Sequence, residues 1–90
     1  MQKQLRLIIS GKVQGVFFRA FVRDTARELG LKGYVQNMDN CSVEVVAAGP
    51  EPELRKLISE CKRGPKNAEV TSIKESWSKP NQDFLSFEVQ

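Results

Sequence analysis

The sequence predicts an α+β open-faced sandwich, an antiparallel sheet with two helices on one face, and three observations carry that expectation. Two segments place apolar residues at helical spacing, strand-like runs flank each of them, and glycine or proline marks most of the junctions. The resulting order is βαββαβ with an extra C-terminal strand. Right-handed crossovers put both helices against the same face, which is the ferredoxin-like plan.

Strand 1 is read from Leu5, Leu7 and Ile9, which alternate with Arg6, Ile8 and Ser10 and give one strongly apolar face. A loop, Gly11–Gly15, leads into a helix over Phe18–Leu29, with Phe18, Phe21, Val22, Ala26 and Leu29 as its apolar positions and Gly30 as its stop. A hairpin follows: a strand near Lys32–Gln36, the turn Asn37–Cys41, and a valine-rich strand Ser42–Ala48. Gly49-Pro50-Glu51-Pro52 opens a second helix that carries Leu54, Leu57, Ile58 and Cys61 on one face and closes at Gly64-Pro65. Strands near Glu69–Glu75 and Leu85–Val89 finish the chain, joined by a polar loop, Ser76–Asp83, expected to be mobile.

Length and composition bound the function. The 90 residues suit one domain, 1–90, with ordinary globular composition. Lysine and arginine number 14 against 11 acidic residues, a net charge of +3 that suits small anions or weak nucleic-acid contact without requiring either. The N-terminal segment lacks the apolar core of a signal peptide, and no stretch reaches the roughly 18 apolar residues of a membrane span. A cytoplasmic protein with reduced thiols and no membrane partner is therefore expected, with a single Cys41–Cys61 disulfide left open.

The absences are as informative. With no histidine, the usual general base and the Ser-His-Asp constellation are missing. Neither Cys41 nor Cys61 is followed by the arginine that a Cys-x5-Arg phosphatase loop needs, since Ala47 and Asn67 stand there. Walker A and dinucleotide glycine patterns do not occur, and the carboxylates are too scattered to hold a metal. No cofactor and no metal are expected.

What remains is the stretch Gly11-Lys-Val-Gln-Gly-Val-Phe-Phe-Arg-Ala-Phe21. Its glycines tolerate positive φ, which lets successive N–H groups converge on one concavity. The loop runs into a helix N-terminus, where unpaired N–H groups and the helix dipole favour an anion. Arg19 in the first turn is electrostatically misplaced unless an anion joins it. The alternative is that Arg19 belongs to a solvated stripe with Arg23 and Arg27, spaced by four.

At these residues the chain resembles the acylphosphatase family. Ile9-Ser-Gly-Lys-Val-Gln-Gly-Val-Phe-Phe-Arg19 matches every specified position of that family's first signature, and Gly33-Tyr-Val-Gln-Asn37 opens the second, which closes at Gly49. One position departs: Cys41 stands where the family has glycine. The resemblance covers essentially the whole chain and implies metal-independent hydrolysis of the carboxyl–phosphate bond of acyl phosphates, with inorganic phosphate as product. It also implies roles. The backbone amides of Gln14, Gly15, Val16, Phe17 and Phe18, with the Arg19 guanidinium, would hold the phosphoryl group, and the Asn37 side chain would orient the attacking water. Read without the resemblance, Asn37 is a turn residue at the end of a strand.

The missing histidine fits that chemistry, because a carboxylate whose conjugate acid has a pKa near ~4 leaves without a general acid. A glycine in the left-handed region at position 41 would make Cys41 strained by roughly 1–2 kcal/mol, unless Asn40 takes that conformation instead. Competing readings are a non-catalytic module that binds RNA on the open face of the sheet, and a phosphate-binding domain of a larger maturation protein. The first lacks the paired aromatics that stack bases, so no nucleic-acid partner is expected; at 90 residues the chain reads as free-standing and monomeric.

Overall fold

Alternation in the first strand decides which way the sheet faces. In the computed structural model, which describes residues 2–90, β1 (Gln2–Lys12) turns Leu5, Leu7 and Ile9 to one side, where all three are fully buried. Against them lie Phe18, Val22 and Ala26 of α1 (Phe18–Glu28) and Leu54, Leu57, Ile58 and Cys61 of α2 (Glu51–Arg63). Each such large side chain contributes about 1.5–3 kcal/mol by leaving water. Burial, with Glu60 beside it, pushes the Cys61 thiol up to about 12, so this residue fills space and is no nucleophile.

β2 (Lys32–Asn37), β3 (Val43–Pro50), β4 (Glu69–Ser78) and β5 (Phe87–Val89) complete a five-stranded sheet in the order β4-β1-β3-β2-β5. The helix pair and strand order are those of the ferredoxin-like plan, but the sheet is mixed. β1, β3, β4 and β2 pair antiparallel, whereas β5 runs parallel to β2. The reason is topological. β4 and β5 occupy opposite edges, and the segment 79–86 crosses at the end of the sheet where β1 and β2 begin. There the Asn81 N–H donates to Gln4 Oε1 (3.2 Å) and the Gly33 N–H donates to Ser86 O (3.0 Å). Entering from that end, β5 has only the direction of β2 open to it.

The expected loop Ser76–Asp83 begins later than its sequence suggests. Ser76, Trp77 and Ser78 belong to β4, opposite Arg6, Leu5 and Gln4. Trp77 packs against the core with the Arg55 guanidinium 4.9 Å over its ring. Phe84 packs edge-on against Tyr34, which lies on the face away from the helices, so one end of that face is covered.

Further along the same face, Glu44 is nearly buried. It accepts from Arg6 Nε (2.6 Å) and from Gln36 Nε2 (2.6 Å). Burial alone would raise the Glu44 carboxyl, but the hydrogen bonds from Arg6 and Gln36 and the Arg6 charge hold it below the ordinary carboxylate range. A folded pKa below the unfolded one means that the stabilisation is fully present above about pH 4.3 and is lost as pH falls through the folded value. Arg6→Met removes the main lowering cause and leaves burial. We expect a loss of about 1–3 kcal/mol at neutral pH that shrinks as pH falls, because protonating Glu44 relieves the burial of an unpaired carboxylate. Urea unfolding between neutral and acid pH checks this, and an equal loss at both refutes it.

Candidate active site

Strand register brings the two signature segments together. On β3, Val43 is paired with Ile9 of β1 on one side and with Asn37 of β2 on the other. Two strand spacings, roughly 10 Å, therefore separate the chain that leads into the β1–α1 loop from Asn37, although they are distant in sequence.

The two glycines of the loop divide their labour, which differs from the expectation that both shape a cradle. Gly11 lies within β1, beside a register shift against β4, with φ 125°. A Cβ there would stand 2.1 Å from Glu69 O, so glycine is required by the approach of β4 and not by a ligand. Gly15 (φ 72°) and Phe17 (φ 62°) both adopt the left-handed region, while Val16 between them does not. Such alternation of handedness turns successive N–H groups toward one side.

α1 then starts without any side-chain cap and without an acidic residue in its first turn. Its first N–H groups are those a bound anion would satisfy. Phe18 anchors the loop by burying its ring in the core, and Val16 packs partly against it. Phe17 points outward and is 85% exposed.

These residues surround a cleft of about 340 Å³ lined by Gly15, Phe17, Phe18, Arg19 and Asn37, together with Val13, Ala20, Arg23 and Val89. Of the residues expected at the site, Gly15, Phe17, Phe18, Arg19 and Asn37 thus meet at one cleft. Gln14 and Val16, also expected at the site, do not line it.

The arginines of α1 are not a free solvated stripe. Arg19 Nη1 donates to Gln90 O (3.0 Å), and Arg27 Nε donates to Phe87 O (3.0 Å). Arg27 therefore holds the backbone of β5 and Arg19 that of the residue after it, while Arg23 pairs with Asp24 (3.0 Å). Sequence reasoning missed Val13, Ala20, Arg23 and Val89 as lining residues. The four-residue spacing from Arg19 signalled Arg23; nothing local signals Val89.

Two further residues bear on the chemistry. Among the described residues no group of three or more His, Cys, Asp or Glu is placed to hold a metal ion. Cys41 and Cys61 are both free thiols, the first exposed and the second buried. In the turn after Asn37 it is Cys41 itself that takes the left-handed conformation, φ 70°, and Asn40 does not. Asn40 serves instead as an acceptor, its Oδ1 taking the Ser42 N–H (3.2 Å). The strain at Cys41 is thus real, about 1–2 kcal/mol, partly offset by the greater unfolded-state freedom of glycine, about 0.4–1 kcal/mol. Cys41→Gly should raise stability by roughly 1 kcal/mol, or about 4–8 °C in the melting midpoint for a chain of this size. A thermal melt with an unchanged or lower midpoint would count against strain there.

Comparison with known proteins identifies a family. The Acylphosphatase family model matches residues 5–89. An acylphosphatase of Chloroflexus aurantiacus is 47% identical over 82% of this chain and 80% of its own length. One of Caldivirga maquilingensis is 46% identical over 97% of this chain and 93% of its own. Among solved structures, the crystal structure of acylphosphatase from Bacillus subtilis matches with a TM-score of 0.95 at 36% identity, covering 98% of each chain.

Proposed function

The chain belongs to the acylphosphatase family, and on that premise we propose that the β1–α1 loop and Arg19 hold the phosphoryl group of an acyl phosphate while Asn37 orients the water that attacks it. The enzyme hydrolyses acyl phosphates, with a carboxylate and inorganic phosphate as products. The observation that carries the division of roles is the convergence of the uncapped α1 N-terminus, Arg19 and Asn37 on one cleft.

The chemistry asks little of side chains. Water attacks phosphorus, the bond from phosphorus to the carboxylate oxygen breaks, and the electron pair leaves with the carboxylate. A leaving group whose conjugate acid has a pKa near ~4 needs no proton from the protein. Phosphoryl transfer through a loose transition state is mainly positioning and charge stabilisation. The N–H groups of Gln14 to Phe18 and the Arg19 guanidinium supply fixed positive dipoles and charge for the equatorial oxygens. Asn37 supplies orientation, since a neutral amide has no useful basicity and a loose transition state demands little deprotonation of water early on.

The reaction on this reading is metal-independent. The chain acts as one domain over residues 1–90, as a monomer in the cytoplasm, without a nucleic-acid or membrane partner. The two free thiols suit a reducing compartment. The segment 79–86 covers one end of the helix-free face that base stacking would use. No helix among the described residues is long and apolar enough to cross a membrane.

The test is hydrolysis of benzoyl phosphate in excess EDTA, beside phenyl phosphate. Rapid turnover of the first and little of the second supports the reading, because a phenoxide leaves far less readily than a carboxylate. Loss of turnover in EDTA would overturn metal independence, and equal rates on both compounds would overturn the leaving-group argument.

A further inference from the structure

We propose that Gln14 is the positioning residue for Asn37: its side-chain amide staples the turn after β2 to the phosphate loop, so that the water-orienting group and the phosphoryl cradle keep a fixed separation. The inference rests on the roles proposed above for that loop and for Asn37.

One NH2 group makes both contacts. Gln14 Nε2 donates to Met38 O (3.0 Å) and to Ser42 O (2.9 Å). Those carbonyls are already the acceptors that close the turn from inside. Ser42 O takes the Met38 N–H (2.9 Å), and Met38 O takes the Cys41 N–H (3.2 Å). A carbonyl oxygen has two lone pairs, so Gln14 completes both acceptors and adds the turn's tie to the β1–α1 loop. Met38 follows Asn37 directly. Asn37 is thus held between its pairing with Val43 on one side and the gripped Met38 peptide on the other.

The turn needs such a grip. It contains Cys41 in the left-handed region, where glycine would rest without strain. Its remaining internal side-chain support, Asn40 with Ser42, bridges only residues of the turn itself.

A direct contact between the Gln14 side chain and the phosphoryl group is disfavoured by the same hydrogen bonds. Both amide hydrogens are engaged, and the remaining Oε1 is an acceptor that a phosphoryl oxygen would repel. Gln14 is also absent from the lining of the cleft. Its side chain is thus committed to the turn, and only its backbone N–H is left for the cradle proposed above.

The experiment is a double-mutant cycle read by two quantities, kcat on benzoyl phosphate and inhibition by inorganic phosphate. Gln14→Met keeps chain length and removes both donors. In the otherwise native enzyme we expect kcat to fall roughly 10-fold to 100-fold, the equivalent of two net hydrogen bonds, with phosphate inhibition changed less than about 3-fold. In an Asn37→Ala background the same substitution should lower kcat by less than about 2-fold, because the group it positions is gone.

Equal losses in both backgrounds would overturn the proposal, as would phosphate binding that weakens as much as kcat. Near-native kcat for Asn37→Ala alone would overturn the water-orienting role and the staple with it, which separates that failure from an additive cycle. A second variant guards against a misfolded Gln14→Met. Gln14→Glu places a carboxylate against two carbonyls at neutral pH, and its protonated form regains one donor. Its kcat relative to wild type should rise as pH falls through the carboxyl's titration; a flat ratio would refute the staple.

Discussion

Arg19→Ala should lower kcat/KM for benzoyl phosphate by roughly 100-fold to 10,000-fold. The figure follows from two charge-assisted hydrogen bonds of about 1.5–3 kcal/mol each between a guanidinium fork and the phosphoryl oxygens, at about 1.36 kcal/mol per factor of ten. Inhibition by inorganic phosphate should weaken alongside, since the same oxygens are bound. Arg19 has a second duty in the native fold, its hydrogen bond to Gln90 O. That contact is exposed, and its loss is expected to lower stability by no more than about 1 kcal/mol, which a melting curve separates from the catalytic effect. Arg19→Lys keeps a point charge without the fork and should fall between the two. Activity of Arg19→Ala within about 10-fold of native would mean that the loop N–H groups alone stabilise the transferring group.

Asn37→Ala should lower kcat by about 100-fold while leaving KM and phosphate inhibition within about 3-fold, because an interaction made only with the attacking water is felt only in the transition state. A loss of about 2.7 kcal/mol is what the removal of a positioned hydrogen-bonding group at a reacting centre brings. The split between kcat and KM is the informative part. A parallel rise in KM would place Asn37 on the phosphoryl group beside Arg19, and near-native kcat would leave the orientation of water to some other group. Asn37→Asp sharpens the distinction: a carboxylate at this position faces a phosphoryl dianion, so binding should weaken as well as turnover.

These expectations draw unequally on what the sequence displays. The Phe18–Leu29 periodicity, the Gly64-Pro65 stop and the alternation Leu5, Leu7, Ile9 each lie within a few residues and follow from side-chain period alone, and the structure has these elements where the pattern puts them. Arg19 was legible for the same reason, because its misplacement in an uncapped first turn is a local electrostatic fact. Asn37 was visible only through its family signature, since an asparagine ending a strand is ordinary turn chemistry.

Some local readings were incomplete. Gly11 looked like part of the anion loop, yet it answers to a backbone atom of β4, Glu69 O, nearly 60 residues along the chain. Ser76–Ser78 looked like a polar loop because the segment is short of apolar residues, yet pairing with β1 makes it strand; edge strands carry such polar sequences routinely.

By itself, then, the sequence determined the order and type of the elements and the buried faces of both helices, because each depends on neighbours within a turn or two of chain. The tertiary structure alone decided that Ile9 and Asn37 stand level across Val43, that Gln14 reaches Met38 and Ser42, that Cys41 bears the left-handed strain, and that β5 runs parallel to β2. Those are matters of register and of which strand edges remain free, settled by the packing of the whole chain around its core.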